Sequence, residues 1–262
     1  MKSFSNLLLL PLLALIALPA DAATLHVGAG QAYSTINAAL GAANTGDTII
    51  IHEGIYRETC VVQDDTLTIR AADSEHVVIS GLDPVSGWTQ DSGEVYYATV
   101  SLGSGLDFPQ VFVNNQRINP AAYPDFPNDL THYALWGQDG ITTTETGVIT
   151  FPTGKPVDHW VGGVCLSIAG SSWQPNEGII TSSTADTLVC NSLDGFESKN
   201  VGVGRGYILF HRNALDAPNE FHYDAGTGRV YLWQPGGGDP GSSTVEVRTR
   251  RWGMDFSGKS NV

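Results

Sequence analysis

The chain has 262 residues, 42% of them hydrophobic and 15% charged, with a net charge of −14 at pH 7. That length suits one large all-β domain or two smaller ones. The acidic balance argues against nucleic acid, whose phosphates demand Lys and Arg, and the 30 glycines and 13 prolines favour short strands and turns over helix bundles.

The N-terminus reads as an export signal. Lys2 gives a short positive region, Leu7 to Leu18 an apolar core interrupted by Pro11, and Ala20-Asp21-Ala22 a small-x-small cleavage site. The apolar core falls short of the roughly 20 residues that span a bilayer. Cleavage after Ala22 is expected, which leaves a mature chain from Ala23 that is secreted or periplasmic, monomeric and free of membrane.

The stretch from Thr24 to Gly81 carries the strongest pattern. A short strand at Thr24–Val27 leads to Gly28-Ala29-Gly30, a turn without the further glycine and lysine of a phosphate loop. Ser34 and Thr35 are suitable N-caps. Ile36, Ala39, Leu40 and Ala43 then form the apolar stripe of an amphipathic helix, which Gly46 ends. Short strands follow at Thr48–Ile51, Cys60–Val62, Leu67–Arg70 and Val77–Ser80, with no tight hairpin turn between them. Strands broken repeatedly without hairpins suit the coils of a solenoid, and an amphipathic helix before the first coil would cover its open end.

Here the sequence resembles a known family. Tyr33 to Leu40, Gly46 to Ile51 and Gly54-Ile55-Tyr56-Arg57-Glu58 are similar to the N-terminal cap and first coil of secreted right-handed parallel β-helix proteins. That superfamily includes alginate-lyase and chondroitinase-B-like enzymes, pectin-active enzymes and several glycoside hydrolases. The resemblance spans about 60 residues and is architectural, so it implies a fold more sharply than a reaction.

Residues 86–244 read differently, as an antiparallel, β-sandwich-like insertion. Val111–Ile118 forms a hairpin around Asn114-Asn115. Phe221–Tyr223 and Arg229–Trp233 form another around 224–228, and Val148–Phe151 and Val164–Ile168 are further strands. The segments Tyr223 to Trp233 and Val111 to Ile118 followed by Tyr123-Pro124 look like elements near the front of bacterial β-helix glycosidase-like proteins. From 245 the alternation of Val245 and Val247 with Glu246 and Arg248 reads as a return to the β-helix, and the chain stops in mid-architecture. The expected organisation is a signal peptide over 1–22, cap and first coils over 23–85, insertion over 86–244, and a truncated β-helix over 245–262.

Candidate site residues are few. Cys60, Cys165 and Cys190 lack CxxC spacing. Cys165 and Cys190 each end an apolar run and could share a disulfide on neighbouring strands, with Cys60 a free thiol; three unpaired thiols is the alternative. Asp64-Asp65 and Asp73 with Glu75 offer oxygen ligands without calcium-loop spacing. Arg248, Arg250 and Arg251 could wall an anion-binding groove. His132, His159, His211 and His222 lack metal-pair spacing. Tyr133, Trp136, Trp160 and Trp173 suit either sugar stacking or a β core.

These readings converge on the N-terminal part of a secreted polysaccharide-degrading β-helix enzyme, a glycoside hydrolase before a lyase, with catalytic residues on later coils. The rivals are a non-catalytic β-helix surface scaffold and a glycan-binding module. No cofactor is evident, and calcium enters only if the parent is a lyase.

Overall fold

The computed structural model describes residues 21–106, 108–125, 138–143, 147–169, 176–192 and 202–262. The predicted signal peptide therefore lies largely outside the described residues, as do His132, Tyr133, Trp136 and Trp173. The chain is all-β, with one short α-helix among the described residues, and it divides into two compact units.

The first unit holds residues 21–56, 60–78 and 254–262. Strands β1 (Thr24–Val27), β2 (Thr48–Ile51) and β5 (Thr68–Ala71) pair in parallel. Thr24, Thr48 and Thr68 lie side by side, 24 and then 20 residues apart in sequence. Helix α1 (Ile36–Leu40) precedes β2 and is capped by Thr35, whose side chain accepts the Ala38 N–H. It is shorter than the stripe predicts because Gly41 already ends it. Its apolar stripe is nonetheless buried, with Leu40 1% exposed, and the helix lies against β1, β2 and β4 (Cys60–Val61). Strand β3 (Gly54–Tyr56) pairs with β6 (Val77–Ile79), and β4 pairs in parallel with β23 (Met254–Asp255).

The second unit holds residues 57–59 and 79–253, and among its described residues all but one of the strand pairings are antiparallel. A four-stranded sheet runs in the order β11 (Gln116–Arg117), β10 (Val111–Val113), β22 (Val245–Arg248), β7 (Leu82–Pro84). A five-stranded sheet runs β12 (Asn119–Pro120), β20 (Glu220–Asp224), β21 (Arg229–Trp233), β9 (Val95–Thr99), β8 (Thr89–Ser92). Val111, Val113, Val245 and Val247 of the first share a core with Phe221, Val230 and Leu232 of the second, so these two sheets pack on one another as a two-layer sandwich. Both predicted hairpins are present, and Asn114 and Asn115 take φ of 50° and 65°, the left-handed values that a two-residue turn needs.

The boundaries differ from those read in the sequence. Leu82–Pro84 and Val245–Arg248 both belong to the antiparallel sheet, so its alternating strand at 245 completes the sandwich. Parallel pairing resumes only at Met254.

The sandwich is not the whole of the insertion. Strands β14 (Gln138–Thr143), β15 (Val148–Thr150), β16 (Val164–Ala169), β17 (Asn176–Ser183), β18 (Thr187–Ser192) and β19 (Gly202–Leu209) are all antiparallel neighbours. Their order is β19-β14-β15-β18-β17-β16, and β16 pairs again with β19. They therefore close a ring, which removes every strand edge. Strand β13 (Ala122–Tyr123) pairs with the end of β19 at Ile208–Leu209, opposite β16 and in line with β14. Ile149, Cys165, Ile180, Leu188 and Ile208, one from each of five ring strands, share a buried cluster with Phe151 and Trp160. The same cluster includes Val95 and packs against Tyr231 and Trp233, so the five-stranded sheet is covered on its second face by the ring.

Candidate functional site

The second unit carries a groove of about 370 Å³ lined by Phe108, Gln110, Arg117, Asn119, Phe210 and Arg248, with Ile118 and Phe221 at its apolar floor. Phe108 precedes β10 and is 47% exposed. Its ring stacks on Phe210, with centroids 4.5 Å apart and planes 23° from parallel. Phe210 follows β19 directly and has a φ of 57°, a left-handed backbone that a bulky residue rarely adopts and that is often held where a site needs it. Its N–H donates to Ala121 O at 3.1 Å, which fixes that geometry.

Arg248 reaches the same groove because strand alternation turns it away from Val245 and Val247. Its backbone N–H donates to Gln110 O at 2.8 Å. Its side-chain Nε is buried without a hydrogen-bond partner. An apolar aromatic face beside guanidinium and amide donors is the arrangement that grips a sugar ring: the ring's C–H face lies on the phenyl group while its hydroxyls accept hydrogen bonds.

The other arginines of the predicted cluster go elsewhere. Arg250 pairs with Asp83 at 2.9 Å, and Arg251 lies over the Trp252 ring at 4.9 Å. Both line a separate hollow with Thr59 and Gly103–Gly105. Three candidate acids of the first unit are also engaged. Asp65 accepts the Ser260 N–H, Asp73 pairs with Arg70, and Glu75 accepts from His52 Nδ1 at 3.0 Å and from Glu53 N at 2.6 Å. His52 Nε2 in turn meets His26 Nδ1 at 3.0 Å. The Glu53 amide and then His52 hold the Glu75 carboxyl below its ordinary value. Gly28 makes room for this relay, since a Cβ there would sit 2.9 Å from His52 Cβ.

The histidines and cysteines of the insertion are structural in their contacts. His211 caps the short turn after it, accepting the Asn213 N–H, and burial lowers its pKa. His159 and His211 both pack edge-on against Trp160, which is 1% exposed and belongs to the core. Cys60, Cys165 and Cys190 are free thiols. Cys165 and Cys190 are not on neighbouring strands as expected: β17 runs between β16 and β18. Their side chains meet inside the ring, where Cys190 interacts with Cys165 and, together with burial, raises its pKa well above normal, while Cys165 lowers that of Cys190.

One constellation escaped the sequence reading. Asp125, Asp216 and Glu220 each offer a carboxylate oxygen within 4.8 Å of the others. Glu220 opens β20 and is 3% exposed. Burial first, then the Asp125 charge, pushes its pKa up to about 8. Burial and the neighbouring Asp216 also raise Asp125. A glycosidase pair needs carboxyls about 5–10 Å apart and open to substrate. This trio is tighter, and Glu220 is enclosed, so it does not suit that chemistry.

No sequence family and no curated protein matches this chain. Among solved structures, a glycoside hydrolase is similar over 86% of this chain and 45% of its own, at 18% identity and a TM-score of 0.63. XylC, in its complex with xylose, aligns over 88% of this chain and 32% of its own, at 18% identity and a TM-score of 0.41. The first likeness is one of fold. The chain spans less than half the length of either protein.

Proposed function

We propose that this chain is the front portion of an exported polysaccharide-processing protein of the right-handed parallel β-helix type, a glycoside hydrolase rather than a lyase. The observation that carries this reading is the groove. A stacked Phe108–Phe210 pair, with Phe210 at a strained φ of 57°, stands beside Arg248, whose Nε has no partner. Support also comes from the in-register parallel strands β1, β2 and β5 and from the fold shared with a glycoside hydrolase. In this reading the first unit begins the β-helix behind α1. The groove holds a stretch of glycan, and bond cleavage belongs to residues outside this chain. The residue pattern before Ala23 supports export, and N-terminal sequencing of secreted material should begin at Ala23.

The test is calorimetric titration of purified residues 23–262 with neutral and uronate-containing oligosaccharides. Binding is expected, and Phe108→Ala should weaken it about tenfold, the equivalent of about 1.4 kcal/mol. Because Phe108 is exposed, that variant should keep the wild-type melting temperature. Equal affinity for Phe108→Ala, or no glycan binding at all, would leave the non-catalytic scaffold as the better account.

A further inference from the structure

We propose that Asp125, Asp216 and Glu220 form a binding site for a calcium ion, held at the two points where the chain passes between sandwich and ring. Asp125 follows β13, on the way into the ring. Asp216 lies between β19 and β20, and Glu220 opens β20, on the way out. Two separate stretches of chain thus bring three acids to one place.

An acidic cluster on a surface is ordinarily held apart by water. Here one member is enclosed. Glu220 is 3% exposed; its Oε1 accepts a long 3.4 Å bond from Ala122 N, and its Oε2 is buried with no hydrogen-bond partner. A buried carboxylate oxygen left unsatisfied costs on the order of 1–3 kcal/mol or more, and two further acids beside it add to the cost. No Lys or Arg is paired with any of the three among the described ion pairs. A bound cation supplies the missing partner and cancels the mutual repulsion.

The donor set selects the ion. All three ligands are hard carboxylate oxygens, with no nitrogen or sulfur, which excludes the preferences of zinc and copper. Calcium takes its oxygens at about 2.3–2.6 Å in a flexible geometry, and three oxygens within 4.8 Å of one another are close enough for one such ion to bridge. Magnesium, at about 2.0–2.1 Å, calls for a tighter octahedron and parts reluctantly with its waters. The exposed Asp125 and Asp216 leave the outer half of the coordination sphere to water, a pattern that suits a calcium site of modest affinity, with a Kd on the order of 10⁻⁴–10⁻³ M.

The experiment uses the whole mature chain, stripped with EDTA and titrated with calcium chloride, with heat of binding and melting temperature read together. One calcium per chain is expected, with a rise in melting temperature. Asp216→Asn and Asp125→Asn, both at exposed positions, should each weaken binding at least tenfold while melting normally without calcium. The magnesium arm should give a smaller thermal shift than calcium at equal concentration. The proposal is overturned if millimolar calcium gives neither heat nor thermal shift, if both variants bind as the wild type does, or if magnesium matches calcium, which would indicate charge screening alone.

Discussion

Glu220 and His222 stand two residues apart on β20, on the same side of the strand, and their surroundings drive both toward the neutral form. The Glu220 carboxyl is raised to about 8, chiefly by burial, and the His222 imidazole is lowered to about 4, again chiefly by burial. The folded chain therefore binds more protons than the unfolded chain at Glu220 between about pH 4.5 and 8, and stability falls as pH rises through that window. At His222 it binds fewer between about pH 4 and 6.5, and stability falls as pH drops through that one. The two effects oppose each other where the windows overlap. Above pH 6.5 the His222 effect is spent and the Glu220 effect, worth at most about 1.4 kcal/mol per pH unit, remains of the two. Thermal melts in EDTA should show declining stability from pH 6.5 to 8, and Glu220→Gln should flatten that decline. A flat wild-type profile would mean that Glu220 ionises without cost. None of this was legible in the sequence: acids are abundant, and only the fold shows which of them water cannot reach.

At the scale of elements, helix α1 and the ring make contrasting demands. Leu40 is 1% exposed within the apolar stripe of α1. Leu40→Asp should cost a few kcal/mol, from lost burial plus an enclosed charge, measured as a drop in urea midpoint. In the ring, Gly178 of β17 lies between Cys165 and the strand that carries Cys190. A Cβ there would come within 2.8 Å of Cys190 Cβ and 2.5 Å of Asn191 O. Gly178→Ala should therefore cost roughly 1–3 kcal/mol as overpacking, and an unchanged melting curve would show that β18 can yield. The helix and both hairpins could be read because each is written locally, in an i, i+3, i+4, i+7 stripe or a turn between alternating strands. The ring could not. Its closure depends on β16 pairing with β19 across some 40 residues, and an alternating strand looks the same in a sandwich and in a barrel.

At the scale of the molecule, the groove and the carboxylate trio both draw on residues far apart in sequence. Phe108 and Phe210 meet from opposite sides of the ring insertion, and Asp125 joins Asp216 and Glu220 in the same way. The sequence showed that Arg248 was available but offered no means of pairing it with two phenylalanines. Residues 23–262 alone should show no turnover on alginate, chondroitin, pectin or xylan-type polymers, as assayed by reducing ends and by absorbance of unsaturated products. Robust cleavage by the isolated chain would place the reaction within these units and return attention to their acids.

The register of β12 against β20, with Asn119 beside Glu220 and Pro120 beside Phe221, has an evolutionary reading. It places the point where the chain departs for the ring next to the point where it comes back. A segment that leaves and returns at one spot, and that has no unpaired edge of its own, is a self-contained graft. It can be lengthened, exchanged or lost between lineages without disturbing the strand order of its host. The host would then have to re-cover Val95, Tyr231 and Trp233, which the ring shelters. Relatives without the ring should therefore carry polar side chains at those three positions, while the sandwich valines stay apolar.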